Sequence, residues 1–161
     1  MNYFKLNAKS ELRELLLDLA KTSSFWKNEH SIDILDLSKH CVEFDNILNF
    51  FINEFEAKPI LLRLPPNTFY RFHIDATRKC AINMLLEGND SHCYFGKITE
   101  YEEVINNVTE LKYDENCYYL FNTLEKHAIL NLNNYRYLLS VGIEKYNFFT
   151  VLEKYKEQFK I

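Results

Sequence analysis

The chain has 161 residues, 47% of them hydrophobic and 16% aromatic, and a net charge of −4. That is apolar material for one domain with a real core, and it excludes a disordered chain. It also excludes a nucleic-acid-coating protein, because phosphate binding needs clustered cations and Arg63, Arg71, Arg78 and Lys79 are scattered.

The first twenty residues, MNYFKLNAKSELRELLLDLA, carry acidic side chains inside their apolar segment and offer no small-residue cleavage site. They do not read as a signal peptide, and no run of about 18 apolar residues is present to span a membrane. Cys41, Cys80, Cys93 and Cys117 show no CxxC spacing, so neither a disulfide framework nor a zinc knuckle is expected. A reducing cytoplasm is the expected location. Gly and Pro number three each while Asn, Lys, Tyr, Phe and Ile abound. This matches the coding bias of an A+T-rich genome; if that genome is viral, the location is a host cytoplasm.

Leu12, Leu15, Leu16 and Leu19 recur at helical spacing and predict an amphipathic helix, with Asn7 or Ser10 as its cap. A partly polar connection with Trp26 follows, and Ile32 to Leu37 predicts a short strand. Phe44, Ile47, Leu48, Phe51, Ile52 and Phe55 predict a second helix, stopped before Pro59. From there the period changes. Segments 59–65, 68–75, 79–87, 92–98, 117–122, 126–131 and 135–143 are short, rich in β-branched and aromatic residues, and separated by turn-prone breaks such as Pro65-Pro66-Asn67.

The acidic stretch 99–116 reads first as a solvated connection, with a lid as the alternative, and one more strand is expected near Val108 to Tyr113. Phe148, Val151, Leu152, Tyr155 and Phe159 predict a closing helix. The expected architecture is mainly β with flanking helices: helical support over 1–58, a β-barrel core over 59–143 and a C-terminal helix over 146–160. Seven or eight successive short strands suggest a sandwich or jelly roll.

Two stretches carry chemistry. In an extended strand, side chains at i and i+2 share a face, so His73 and Asp75 would project together from one strand end. His127 supplies a third ligand and Arg136 a fixed cation nine positions later. Two His and one carboxylate form a facial triad that leaves open positions on ferrous iron. Alone, His73 and Asp75 would read as a surface pair; His127 and Arg136 turn the reading toward a metal. A lone His127 is ordinarily a core or turn histidine. Arg136 opens an apolar strand and must find an anion or reach solvent, where it would stack on Tyr135 and Tyr137. Adjacent ligands at His92-Cys93 and His40-Cys41 are a poor match to zinc spacing.

HxD on an early strand, a distal His and an Arg beyond it resemble the 2-oxoglutarate/Fe(II)-dependent oxygenases. The texture of FHIDATRKCAINMLL and YYLFNTLEKHAILNLNNYRYLLSVGI is similar to small bacterial and phage members near the prolyl hydroxylases and the aspartyl/asparaginyl β-hydroxylases. The resemblance covers about residues 59–143. It implies a double-stranded β-helix, a cupin-like jelly roll, with iron held at one mouth by His73, Asp75 and His127. It further implies that Arg136 pairs with the distal carboxylate of 2-oxoglutarate. The implied reaction hydroxylates a protein side chain or a small molecule, consuming O2 and releasing succinate and CO2.

Many members carry R-x-S on the last strand; here Leu138 takes that position and Ser140 lies four along. Asn83, polar in an apolar strand, either donates to the 2-oxoglutarate carboxylate nearer the iron or is satisfied by backbone. Arg78 and Tyr94 are weaker candidates and read first as structural. The rival readings are a non-catalytic jelly roll kept as a structural or binding protein, for instance in a viral particle, and a cupin-like metal protein without 2-oxoglutarate.

Overall fold

The computed structural model describes residues 1–98 and 105–161. The chain runs β1 (Tyr3–Lys9), α1 (Arg13–Thr22), β2 (Lys27–Glu29), β3 (Ile32–Asp36), α2 (Asn46–Phe55), β4 (Lys58–Leu64), β5 (Thr68–His73) and β6 (Cys80–Glu87). It continues with β7 (Ser91–Ile98), β8 (Ile105–Leu111), β9 (Cys117–Phe121), β10 (His127–Asn131), β11 (Arg136–Ile143) and α3 (Phe148–Phe159). A larger sheet has the order β1-β9-β6-β11-β4-β3-β2 and a smaller one β5-β10-β7-β8. Every pairing is antiparallel.

The side-chain period of two sorts each strand between two interiors. On β11, Tyr137, Leu139, Val141 and Ile143 enter a core shared with all three helices. Arg136, Leu138, Ser140 and Gly142 face the opposite way, into the space between the sheets. Strand β9 divides likewise: Tyr118 and Leu120 face the helices, while Cys117, Tyr119 and Phe121 join a second cluster with Cys93, Phe95 and Ile129. With both faces covered, all eight residues of β11 are buried, which is why its sequence reads as a nearly unbroken apolar run.

The helices follow their stripes. Leu16, Leu17 and Ala20 of α1, Leu48, Phe51 and Phe55 of α2, and Phe148, Val151, Leu152 and Tyr155 of α3 are buried. Asp45 caps α2 by accepting from the Leu48 amide at 3.0 Å, and Asn147 caps α3 by accepting from Thr150 at 3.0 Å. Helix α1 has no side-chain cap. Asn7 lies within β1, and Ser10 Oγ accepts from the Leu12 amide ahead of the helix instead.

Residues 1–58 are more than helical support: they add three strands to the larger sheet. Strand β1 reads apolar only at Tyr3, Phe4, Leu6 and Ala8 and is fixed by its partner β9, Tyr3 lying opposite Phe121. Strand β2 is wholly exposed. It exists because β3 offers an edge and His30 and Ser31, both at positive φ, close a two-residue turn. The expected strand near Val108 is β8, whereas Glu100, Glu102 and Glu103 of the supposed lid lie outside the described residues. Among the described residues, no helix is long and apolar enough to cross a membrane.

Candidate metal centre

Strands β5 and β10 pair so that His73 and His127 are direct cross-strand partners. The strand ends at His73, and Asp75 follows in a bend whose amide donates to the Thr123 carbonyl at 3.0 Å. The expected convergence of His73 and Asp75 therefore arises at a turn beyond the strand, not from strand alternation. Asp75 Oδ1 lies 3.5 Å from His73 Nε2 and 3.7 Å from His127 Nε2. One donor atom from each of the three falls within 4.8 Å of the others. Among the described residues no other trio of His, Cys, Asp or Glu is so gathered.

Each imidazole is oriented from behind by the carbonyl two residues earlier. His73 Nδ1 donates to Arg71 at 2.8 Å and His127 Nδ1 to Glu125 at 2.9 Å. That partnership fixes the orientation of each ring and leaves both Nε2 atoms facing Asp75. Burial lowers the His127 pKa to about 4, so this imidazole is neutral at pH 7, the form a metal requires. Burial pushes the Asp75 carboxyl up, but the His73 contact and the Arg78 charge outweigh it and hold the group below its ordinary range. Asp75 Oδ2 is buried and receives no aligned hydrogen bond, although Arg78 Nη2 stands 2.7 Å away as an ion partner. Two imidazoles and an ionised carboxylate facing one point fit a divalent transition metal. A cation there would be held by the two imidazoles and would neutralise the carboxylate.

The same residues line a cavity of about 460 Å³ between the sheets, together with Asn83, Tyr113 and Arg136. Arg136 is 2% exposed. Its Nε donates to Ser91 Oγ at 3.1 Å, and its guanidinium lies 5.8 Å from the Tyr113 ring centre. No carboxylate among the described residues pairs with it. The alternative of an exposed Arg136 stacked on its tyrosine neighbours is not what the fold builds, since Tyr135 packs on Tyr137 and Arg63 covers Tyr135. Gly88 makes room: at φ +128° it tolerates no side chain, and a Cβ would meet Arg136 Cγ at 3.0 Å. Asn83 Oδ1 and the Tyr113 hydroxyl are both buried without a hydrogen-bond partner among the described residues. Burial pushes the Tyr113 phenol well above its ordinary pKa, so it remains a neutral donor.

Nothing in the sequence marks Tyr113 or Ser91 as part of this site. Tyr113 sits in the aperiodic acidic segment, where nothing signals an inward side chain. Arg78 belongs to the site through Asp75, whereas Tyr94 does not line the cavity and stacks on His92 at 5.9 Å. The zinc alternative at His92-Cys93 meets a simple obstacle. Cys93 faces the inter-sheet cluster while His92 pairs with Glu110 at 2.7 Å, so the two do not share a ligand point.

No family model matches this sequence, and no curated protein does. Solved structures do. A prolyl-4-hydroxylase from Pseudomonas putida matches with a TM-score of 0.63 at 10% identity, over 91% of this chain and 94% of that one. A 2OG-Fe(II) oxygenase family oxidoreductase from Burkholderia pseudomallei gives 0.60 at 14% identity, over 91% and 85%. A prolyl hydroxylase from Trichoplax adhaerens, in complex with a hypoxia inducible factor oxygen degradation domain peptide fragment, gives 0.66 at 13% identity, over 98% and 86%. The fold is the jelly roll of these oxygenases. Within that oxygenase fold, the His73–Asp75–His127 cluster could bind a metal ion.

Proposed function

We propose that this chain is a dioxygenase dependent on Fe(II) and 2-oxoglutarate that hydroxylates a protein side chain or a small molecule. The observation that carries the reading is one cavity holding both a His–Asp–His cluster and a buried guanidinium that no carboxylate among the described residues pairs with. A barrel kept only for structure gains nothing from the cation. Burying an uncompensated charge is costly, and Arg cannot shed its proton.

In this reading His73, Asp75 and His127 hold the iron. When bound, it supplies the oxidising chemistry that couples decarboxylation of 2-oxoglutarate to hydroxylation, with succinate and CO2 as co-products. The chain's own groups bind and orient. Arg136 grips the distal carboxylate of the diacid through its planar fork. The unpartnered Tyr113 hydroxyl can donate to the same end, and Asn83 to a carboxylate nearer the metal. The apolar wall from Leu62, Leu64, Ile129 and Leu138 keeps water from these contacts and strengthens them. The peptide bound to the Trichoplax relative supports a peptide among the substrate classes. Four free cysteines and a ferrous site fit a reducing cytoplasm, or a host's if the gene is viral.

The test is turnover. The purified chain, supplied with Fe(II), ascorbate and 2-oxoglutarate under air, should release succinate above a no-protein control even without prime substrate. His127→Ala and Asp75→Ala should abolish that release. Release that persists in both variants would remove the proposed ligands from the reaction.

A further inference from the structure

The two oxygens of Asp75 have different neighbours. Oδ1 faces both imidazoles, at 3.5 and 3.7 Å, while Oδ2 faces Arg78 Nη2 at 2.7 Å. The other terminal nitrogen of Arg78 donates to Ser140 Oγ on β11 at 3.0 Å. Its backbone is fixed as well. The Arg78 carbonyl accepts from Thr123 Oγ1 at 2.5 Å, and the Thr123 carbonyl takes the Asp75 amide. The stem of Arg78 runs directly over Gly142, where a Cβ would lie 2.5 Å from Arg78 Cδ. Gly142 has no positive φ, so space alone, not backbone conformation, requires a glycine there.

We propose that Arg78 is a positioning residue that reserves Oδ2 and presents Asp75 to the ion through Oδ1 alone, with Ser140 and Gly142 of β11 forming its seat. The inference rests on the metal reading above. A carboxylate that binds through both oxygens occupies two positions on a metal, and positions are what a facial triad must keep open for a chelating diacid and O2. A guanidinium is suited to this task. It is permanently charged and its fork spans a carboxylate oxygen and a hydroxyl together, which a lysine ammonium does not reproduce. A simple strut closing the turn between β5 and β6 would contribute stability and leave the bound ion unaffected.

Co(II) is the probe, because its visible absorption reports coordination number without turnover. Wild type should bind Co(II), and His127→Ala should remove that binding. Arg78→Met should still bind Co(II), weakened by no more than the roughly 10- to 100-fold that loss of an outer-shell partner costs, yet with a shifted visible spectrum, and 2-oxoglutarate should bind the Co(II)-loaded variant at least about tenfold more weakly. Arg78→Lys should restore only part of either change. Gly142→Ala, which touches neither the ion nor Asp75, should shift the spectrum in the wild-type background and add nothing in the Arg78→Met background. Should Arg78→Met fail to fold, the Arg78→Lys and Gly142→Ala spectra decide.

Wild-type spectrum and diacid affinity retained in folded Arg78 variants would overturn the inference while leaving the metal centre standing. An undiminished Gly142→Ala effect in the double variant would do the same. Absence of Co(II) binding in wild type would overturn the centre and the inference together.

Discussion

His73 and His127 stand opposite each other on the β5–β10 ladder, their rings 4.3 Å apart at the centroids, each braced by the carbonyl two residues earlier. Neither side chain needs to move to meet an ion. Replacing either with Ala should therefore cost more than the roughly 10- to 100-fold that changes to outer-shell partners cost in metal affinity. Isothermal titration with Mn(II) or Co(II) measures it. Near-wild-type affinity in either variant would mean that the ion sits elsewhere.

The metal-free protein should lose stability as the solution turns acid, in a defined window. His127 titrates near 4 in the folded chain because burial disfavours its charge, against about 6.5 when unfolded. The unfolded state therefore takes up a proton that the folded state refuses. Stability is full above about pH 6.5 and falls toward pH 4, by up to about 3 kcal/mol. The depressed Asp75 carboxyl adds its loss only below about pH 4. Urea melts in chelator across this range should show the decline, and His127→Phe should flatten it by that amount. An unchanged slope in His127→Phe would contradict the assignment.

Arg136 should trade stability for binding. Its buried charge has only Ser91 and the face of Tyr113 as neighbours among the described residues. Arg136→Met, similar in volume and uncharged, should leave the free protein as stable or raise it by about 1–3 kcal/mol. Excess 2-oxoglutarate with Mn(II), at about 100 times its Kd, should stabilise wild type by about 2.7 kcal/mol and the variant not at all. Thermal melts with and without the diacid read both effects. A variant that still responds fully would remove Arg136 from the diacid site.

Stability at the far side of the larger sheet should be separable from the site. Phe51 is fully buried among Phe55 and Tyr155, with stacked ring centroids at 6.0 and 5.8 Å. Phe51→Ala should cost about 3–5 kcal/mol. The affinity of the folded protein for Mn(II) should stay within about twofold, because the sheet separates this core from the cavity. Chemical denaturation and metal titration of the same sample check the pair.

Elements are legible in the sequence where a residue's chemistry and its period agree. The α2 and α3 stripes and most of the β4 to β11 segments are visible because burial enforces periodicity, and the His-x-Asp, His and Arg side chains that the fold gathers at one cavity stand out by their chemistry. Strands β1 and β2 were not visible: Lys27 to Glu29 has no apolar side chain and is a strand only because β3 lies beside it. Tyr113 is hidden for a similar reason, since it lies just beyond the end of β8 and its inward placement is set by the cavity and not by its neighbours in sequence. Arg78 was legible as a residue but not as a function. Nothing in the chain order announces that Ser140 and Gly142 lie beneath it.

The most direct test of the account is an anaerobic titration of the protein with Fe(II) and 2-oxoglutarate, followed by visible absorption. Wild type should develop a weak charge-transfer band from the chelated pair, absent in both His73→Ala and Arg136→Ala. A wild-type protein that binds Fe(II) yet develops no band at saturating diacid would contradict it.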